Sequence, residues 1–160
     1  MAIEFLQKIR KRGYKVSVLL GKREEGIEAK FGCDIDFYFA SALDIFSGVT
    51  GTPYPILKNV SRDIKMANPD IVHVNSHLFL SSYQAVEASR LMEIPSVVTV
   101  HGVMVKRGLV LDVLQGVYLR TVAKRLFEKV SATICLTKND AESVASIAVS
   151  YTHLTLPTKA

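Results

Sequence analysis

Between Pro69 and Gly102, two short apolar runs flank one amphipathic run, and polar, histidine-bearing residues follow each apolar run. Ile71-Val72-His73-Val74 and Ser96-Val97-Val98-Thr99-Val100 are rich in β-branched residues. The second is almost continuously apolar, the pattern of a strand covered on both faces. Between them Leu80, Tyr83, Val86, Ala88, Leu91 and Met92 recur at mostly helical spacing, with Gln84, Glu87 and Arg90 on the other side. The short connections make this a strand–helix–strand unit with parallel strands. Open α/β sheets bind ligands beyond the carboxyl ends of their strands, and the segments leaving those ends are Asn75-Ser76-His77 and His101-Gly102.

The alternation extends in both directions. Ile3, Leu6 and Ile9, with Phe5 beside them, give an opening helix that Gly13 stops, and Tyr14 to Leu20 reads as a buried strand. A helix that opens the chain has no strand to follow, so a first strand and its loop are expected to be missing. Asp34 to Phe39 reads as a strand with aromatic residues on both faces, and Gly48, Gly51, Pro53 and Pro55 mark a loop. Ile56, Val60, Ile64 and Met66 predict a helix ending before Asn68-Pro69. Val103 to Val130 holds one long helix or two, with Gly108 and Gly116 as breaks. A strand from Ala132 to Leu136 follows, and Thr137 caps a helix through Ala148, with acidic Asp140 three places on. Thr137 thereby joins the histidine segments at the same sheet edge.

At 160 residues the chain suffices for one domain burying roughly 70% of its unfolded surface. Its 49% hydrophobic and 22% charged residues are a globular composition, not a disordered one. The fold class expected is α/β, Rossmann-like, with a mostly parallel sheet and helices on both faces. Residues 1–149 form this domain. Residues 150–160 break the helical period and resemble translated adaptor sequence, so they are set aside as a non-native tail.

The net charge of +5 favours anionic partners: phosphorylated substrates, an anionic membrane surface or nucleic acid. Arg120, Lys124, Arg125 and Lys129 read as a basic helix face, either solvated or resting on anionic lipid. Nucleic acid is disfavoured, because no stacking aromatics interleave with these cations. Cys33 and Cys135 form no C-x-x-C pair, and Cys135 reads as a buried strand residue. No segment approaches the roughly 18 continuous apolar residues of a membrane span, and no signal-peptide core is present, so the expected location is cytoplasmic, peripheral to a membrane if the basic helix binds one.

Several chemistries lose their support. Gly21 to Gly26 has the glycine spacing of a P-loop, but Ile27-Glu28 stands where Lys-Ser/Thr would reach phosphate and magnesium. There is no G-x-G-x-x-G, and no cofactor is implied. His73 and His77 lack the companion ligands of a metal site, and His73 reads as a hydrogen-bonded core residue. His101 is the best catalytic candidate, since it leaves a buried strand and the following Gly102 lets backbone or substrate approach closely. An imidazole there suits a hydrogen bond to a hydroxyl or phosphate, and the bland alternative is a loop histidine capping a carbonyl.

Pro69-Asp70-Ile71-Val72-His73-Val74, Ile94 to Gly102 and Ile134-Cys135-Leu136-Thr137 resemble, in order and spacing, the N-terminal domain of family 4 glycosyltransferases of the GT-B fold. Arg12 to Leu19 is similar to that family's entry into its second strand. The resemblance implies two Rossmann-like domains facing across a cleft, the N-terminal one binding the acceptor and the C-terminal one the nucleotide-sugar. It implies sugar transfer to a hydroxyl with retention and without a tightly bound metal. His101 takes the position of an active-site histidine, Thr137 starts a helix at the cleft, and Asn75, Ser76, His77 and Gly102 line the substrate side. The chain departs from the family at Asn75, where a second histidine is frequent, and in lacking the first glycine-rich loop and the Glu-x7-Glu donor motif. The expectation is an acceptor-binding half without its donor-binding domain, inactive alone. The rival is a non-enzymatic Rossmann-like domain binding a small anion or a protein partner.

Overall fold

The computed structural model describes residues 2–21, 35–43, 55–103, 108–148 and 154–155. The Lys22-Arg23-Glu24-Glu25 turn, Cys33, and Gly48, Gly51 and Pro53 of the expected loop lie outside the described residues. Helix α1 (Ala2–Lys11) leads through Gly13, at φ +88°, into strand β1 (Ser17–Leu20), which pairs in parallel with β2 (Asp36–Phe39). A short antiparallel pair, β3 (Ala42–Leu43) with β4 (Ile56–Leu57), precedes helix α2 (Val60–Ala67). Strand β5 (Val72–Val74), helix α3 (Leu80–Leu91) and strand β6 (Ser96–Val100) form the expected parallel unit. A long helix then runs as α4 (Leu109–Tyr118), a π-helical turn (Leu119–Ala123) and α5 (Lys124–Lys129). Strand β7 (Ala132–Cys135) and helix α6 (Lys138–Ile147) follow. Strand β8 (Leu154–Thr155), within the segment set aside as a tail, pairs in parallel with β7.

The strands do not join into one sheet. Among the described residues they form β1-β2, β3-β4 and the parallel β5-β6-β7-β8, so the expected single, mostly parallel sheet becomes a mixed set. Ile56, read as the start of a helix, belongs instead to the antiparallel β4. That pair is held from outside, because the Gln84 side chain on α3 accepts from the Leu57 N–H and donates to the Leu57 carbonyl, each at 2.9 Å, as a neighbouring strand would. Gln84→Leu is expected to destabilise the protein by about 1–3 kcal/mol, since both Leu57 groups lose their partner. An unchanged urea midpoint would show that this amide does not support β4.

Alternation along the paired strands divides the main sheet into two unlike faces. Val74, Val98, Val100, Thr133 and Cys135 share one face by register, and all are buried, with Val86, Leu126 and Phe127 in the same core. His73, Val97 and Thr99 share the other face, where the Phe5 ring of α1 meets the His73 ring edge-on at 5.7 Å. Among the described residues this face is less uniformly buried, with Thr99 buried, Val97 half-buried and His73 exposed. His73 bonds the Thr99 hydroxyl at 2.7 Å, as a hydrogen-bonded residue, but it is exposed and not part of the core. Strand β1 is likewise half-buried along most of its length, not buried, and Tyr14 is exposed.

Helix α3 turns inward a face of small residues: Ser82, Ala85, Ala88 and Ser89 are buried with Val86, while Leu91, expected on the apolar face, is exposed. Small side chains let the helix backbone approach the strands closely. Ser89 satisfies its buried hydroxyl by donating to the Ala85 carbonyl at 2.7 Å. Met66 on α2 also faces water, and Asn68 ends that helix in the left-handed region, at φ 44°.

Candidate functional site

β5, β6 and β7 lie side by side and parallel, so their carboxyl ends release three segments at one edge. At this edge His101 Nε2 and Asn75 Oδ1 are 2.7 Å apart, and both residues are exposed. An amide oxygen only accepts, so Nε2 carries the proton and Nδ1 keeps its lone pair in the neutral ring. The pair therefore fixes one tautomer and one ring orientation, and it leaves a base nitrogen for a hydroxyl proton. Sequence reasoning named both residues without seeing that they bond each other, because 26 positions separate them.

Gly102 follows at φ +99°, a backbone conformation that side chains rarely adopt, and among the described residues no atom beyond its chain neighbours lies within 4 Å of where a Cβ would stand. The glycine is required by the turn, and no described side chain fills the space beside it. Ser76 also sits at positive φ, 152°, and is buried; its hydroxyl accepts from the Leu78 N–H at 3.2 Å. The strained turn is thus tied down from within.

His77 does not reach the exposed edge. It is fully buried, its ring lies against Phe127 at 5.4 Å, and its carbonyl accepts from the Tyr118 hydroxyl at 3.0 Å. Among the described residues neither ring nitrogen makes a well-formed hydrogen bond. Burial pushes its pKa down to about 4, opposed by the Val103 backbone and the Asp140 charge. His73 is also held below the usual histidine range, first by desolvation and then by the nearby His101.

Thr137 caps α6 as expected. Its hydroxyl accepts from the Asp140 N–H at 3.1 Å and donates to an Asp140 carboxylate oxygen at 2.7 Å. Thr137 is exposed at the same strand edge, yet its hydroxyl is committed to the cap. Cys135, fully buried, has its thiol pushed up by desolvation and then by Asp140, which disfavours the reactive thiolate. Among the described residues no three His, Cys, Asp or Glu side chains gather as a metal site.

The basic helix is not a single cationic face. Lys129 turns towards α3, where it donates to Glu87 and, at 3.1 Å, to the Tyr83 hydroxyl, and Lys124 lies 3.9 Å from Glu128. Arg120 and Arg125 stay exposed. The long helix breaks at the π-helical turn, not at Gly116. Such a turn changes the residue spacing, so the α-helical period that grouped the four cations does not hold through it. A groove of about 570 Å³ along β4, α2 and α3, lined by Leu57, Arg62, Tyr83, Gln84 and Glu87 among others, includes none of the strand-edge residues. No helix among the described residues is long and apolar enough to cross a membrane.

The exposed edge thus offers an oriented imidazole beside a glycine turn, on an α/β frame of parallel strands. Comparison with known proteins finds no match among curated sequences. The family model described as Glycosyltransferase Family 4 matches residues 1–155, nearly the whole chain. By that match, the chain belongs to Glycosyltransferase Family 4.

Proposed function

We propose that the chain is the acceptor-side half of a GT-B glycosyltransferase, in which a sugar passes from a nucleotide-sugar to a hydroxyl acceptor with retention at the anomeric carbon. The observation that carries this reading is the exposed Asn75–His101 pair at the carboxyl edge of β5 and β6. His101 acts at the acceptor hydroxyl through Nδ1, Asn75 orients it, and Gly102 leaves the space that the acceptor enters. Ser76 and His77 hold the loop from beneath, and Thr137 shapes the neighbouring wall as the α6 cap. The donor is held by a second domain.

Transfer assays on the 160-residue chain and on its full-length parent, with labelled nucleotide-sugars and an acceptor mixture, test this reading. The parent is expected to form product and the isolated chain none. Transfer by the chain alone would overturn the half-site reading. A parent that binds ligands but transfers no sugar from any donor would favour an inert binding domain.

A further inference from the structure

The helix after His101 reaches back to both loops that leave β5 and β6. Gln115 donates to the Val103 carbonyl, just beyond Gly102, and the half-buried Tyr118 donates from its hydroxyl to the His77 carbonyl at 3.0 Å. Nine residues further along, the Phe127 ring lies 5.4 Å from the His77 ring. His77 is thus gripped twice by one helix, at its carbonyl and at its ring.

An uninterrupted α-helix could not do this. Nine residues at about 3.6 per turn make roughly two and a half turns, which would set Tyr118 and Phe127 on opposite sides. The π-helical turn lies between them, and there the Lys124 N–H bonds to the Leu119 carbonyl five residues back. Such a turn takes up one extra residue, so the two side chains come within roughly 80° of each other and both face His77. The loop held in this way is short. Asn75 stands two residues before His77, and between them Ser76, at φ 152°, is tied by its hydroxyl to the Leu78 N–H. Asn75 Oδ1 in turn meets His101 Nε2 at 2.7 Å.

We propose that Tyr118 is a positioning residue for His101: its hydroxyl, aimed by the π-helical turn, fixes the Asn75-Ser76-His77 loop where Asn75 can orient the His101 ring. The functional meaning rests on the role proposed above for His101, but the link from Tyr118 to that ring is measured without sugar transfer.

Nitrogen-15 and carbon-13 spectra of the 160-residue chain, in alkaline buffer where histidine rings are neutral, report the tautomer and mobility of His101. In the parent chain the proton is expected on Nε2, and the ring C–H order parameter near about 0.85, the value of rigid backbone. Asn75→Ala removes the partner directly, and Tyr118→Phe removes only the distant hydroxyl. Both are expected to give a mixture of tautomers and an order parameter below about 0.6. Ser131→Ala, which takes a comparable hydrogen bond from the Ser96 N–H at the amino end of β6, is expected to leave His101 as in the parent. A single tautomer and an ordered ring in folded Tyr118→Phe protein would overturn the proposal. Equal loosening in Ser131→Ala would also overturn it, by making the effect one of general stability. A mobile His101 ring in the parent chain would do so without any variant. The glycosyl-transfer reading is decided separately, by the transfer assays.

Discussion

On the proposed function, His101→Ala in the complete transferase is expected to lower kcat by about 100-fold or more, the usual contribution of a positioned acid–base group. The imidazole is exposed and its bond is to Asn75, so the protein should lose little stability and the effect should be catalytic. Asn75→Ala leaves the ring in place but frees its tautomer and orientation. A smaller loss of about tenfold is expected, by analogy with residues that orient a catalytic histidine. Steady-state kinetics against acceptor concentration separate the roles. A fall in kcat at constant KM marks a group acting in the transition state, and a rise in KM alone marks acceptor binding. Unchanged kcat and KM in His101→Ala would remove His101 from the site.

The second large effect is a loss of stability in mild acid, and it comes from His77. Its folded-state pKa of about 4 lies below the ordinary histidine value of 6.5, because charging a fully buried ring is costly and the Val103 backbone and Asp140 offset that cost only in part. Between these two values the unfolded chain binds the proton and the folded chain does not. Stability is therefore complete above about pH 6.5 and declines as the pH falls towards 4, by about 3 kcal/mol in all. His73, also held low, acts in the same direction. Glu87, held below the usual carboxylate range by Lys129 and then Arg90, loses its contribution only at lower pH. His77→Leu keeps an apolar side chain against Phe127 and removes the titration. Urea melts from pH 4 to 7 should then show the parent losing about 3 kcal/mol more than the variant across this window. Parallel pH profiles would show that His77 is not the acid-sensitive group.

Much of this protein is written in local pattern. The β5–α3–β6 unit, the β7 strand, the stop at Gly13 and the Thr137 cap follow from β-branched runs, helical spacing and capping chemistry, all of which act within a few residues. The shared carboxyl edge of the strands was legible for the same reason, since parallel strands place their carboxyl ends together. The split of the main sheet into a deep face and a less uniformly buried one was not. His73 sits between two valines that are buried or half-buried, yet it is itself exposed on the face that the Phe5 ring of α1 meets. Ser82, Ala85 and Ser89 appear too polar or small to mark a buried face until the helix is seen pressed against the strands.

The amino-acid sequence by itself determined the α/β alternation, the parallel central unit and the strand edge carrying Asn75, His101, Gly102 and Thr137, because period and propensity depend on near neighbours. Only the tertiary structure decided which histidine meets water. His101 is turned out and oriented by Asn75, and His77 is sealed beneath the loop against Phe127. Burial and pairing across 26 or 50 positions depend on how the elements pack, which no local pattern encodes.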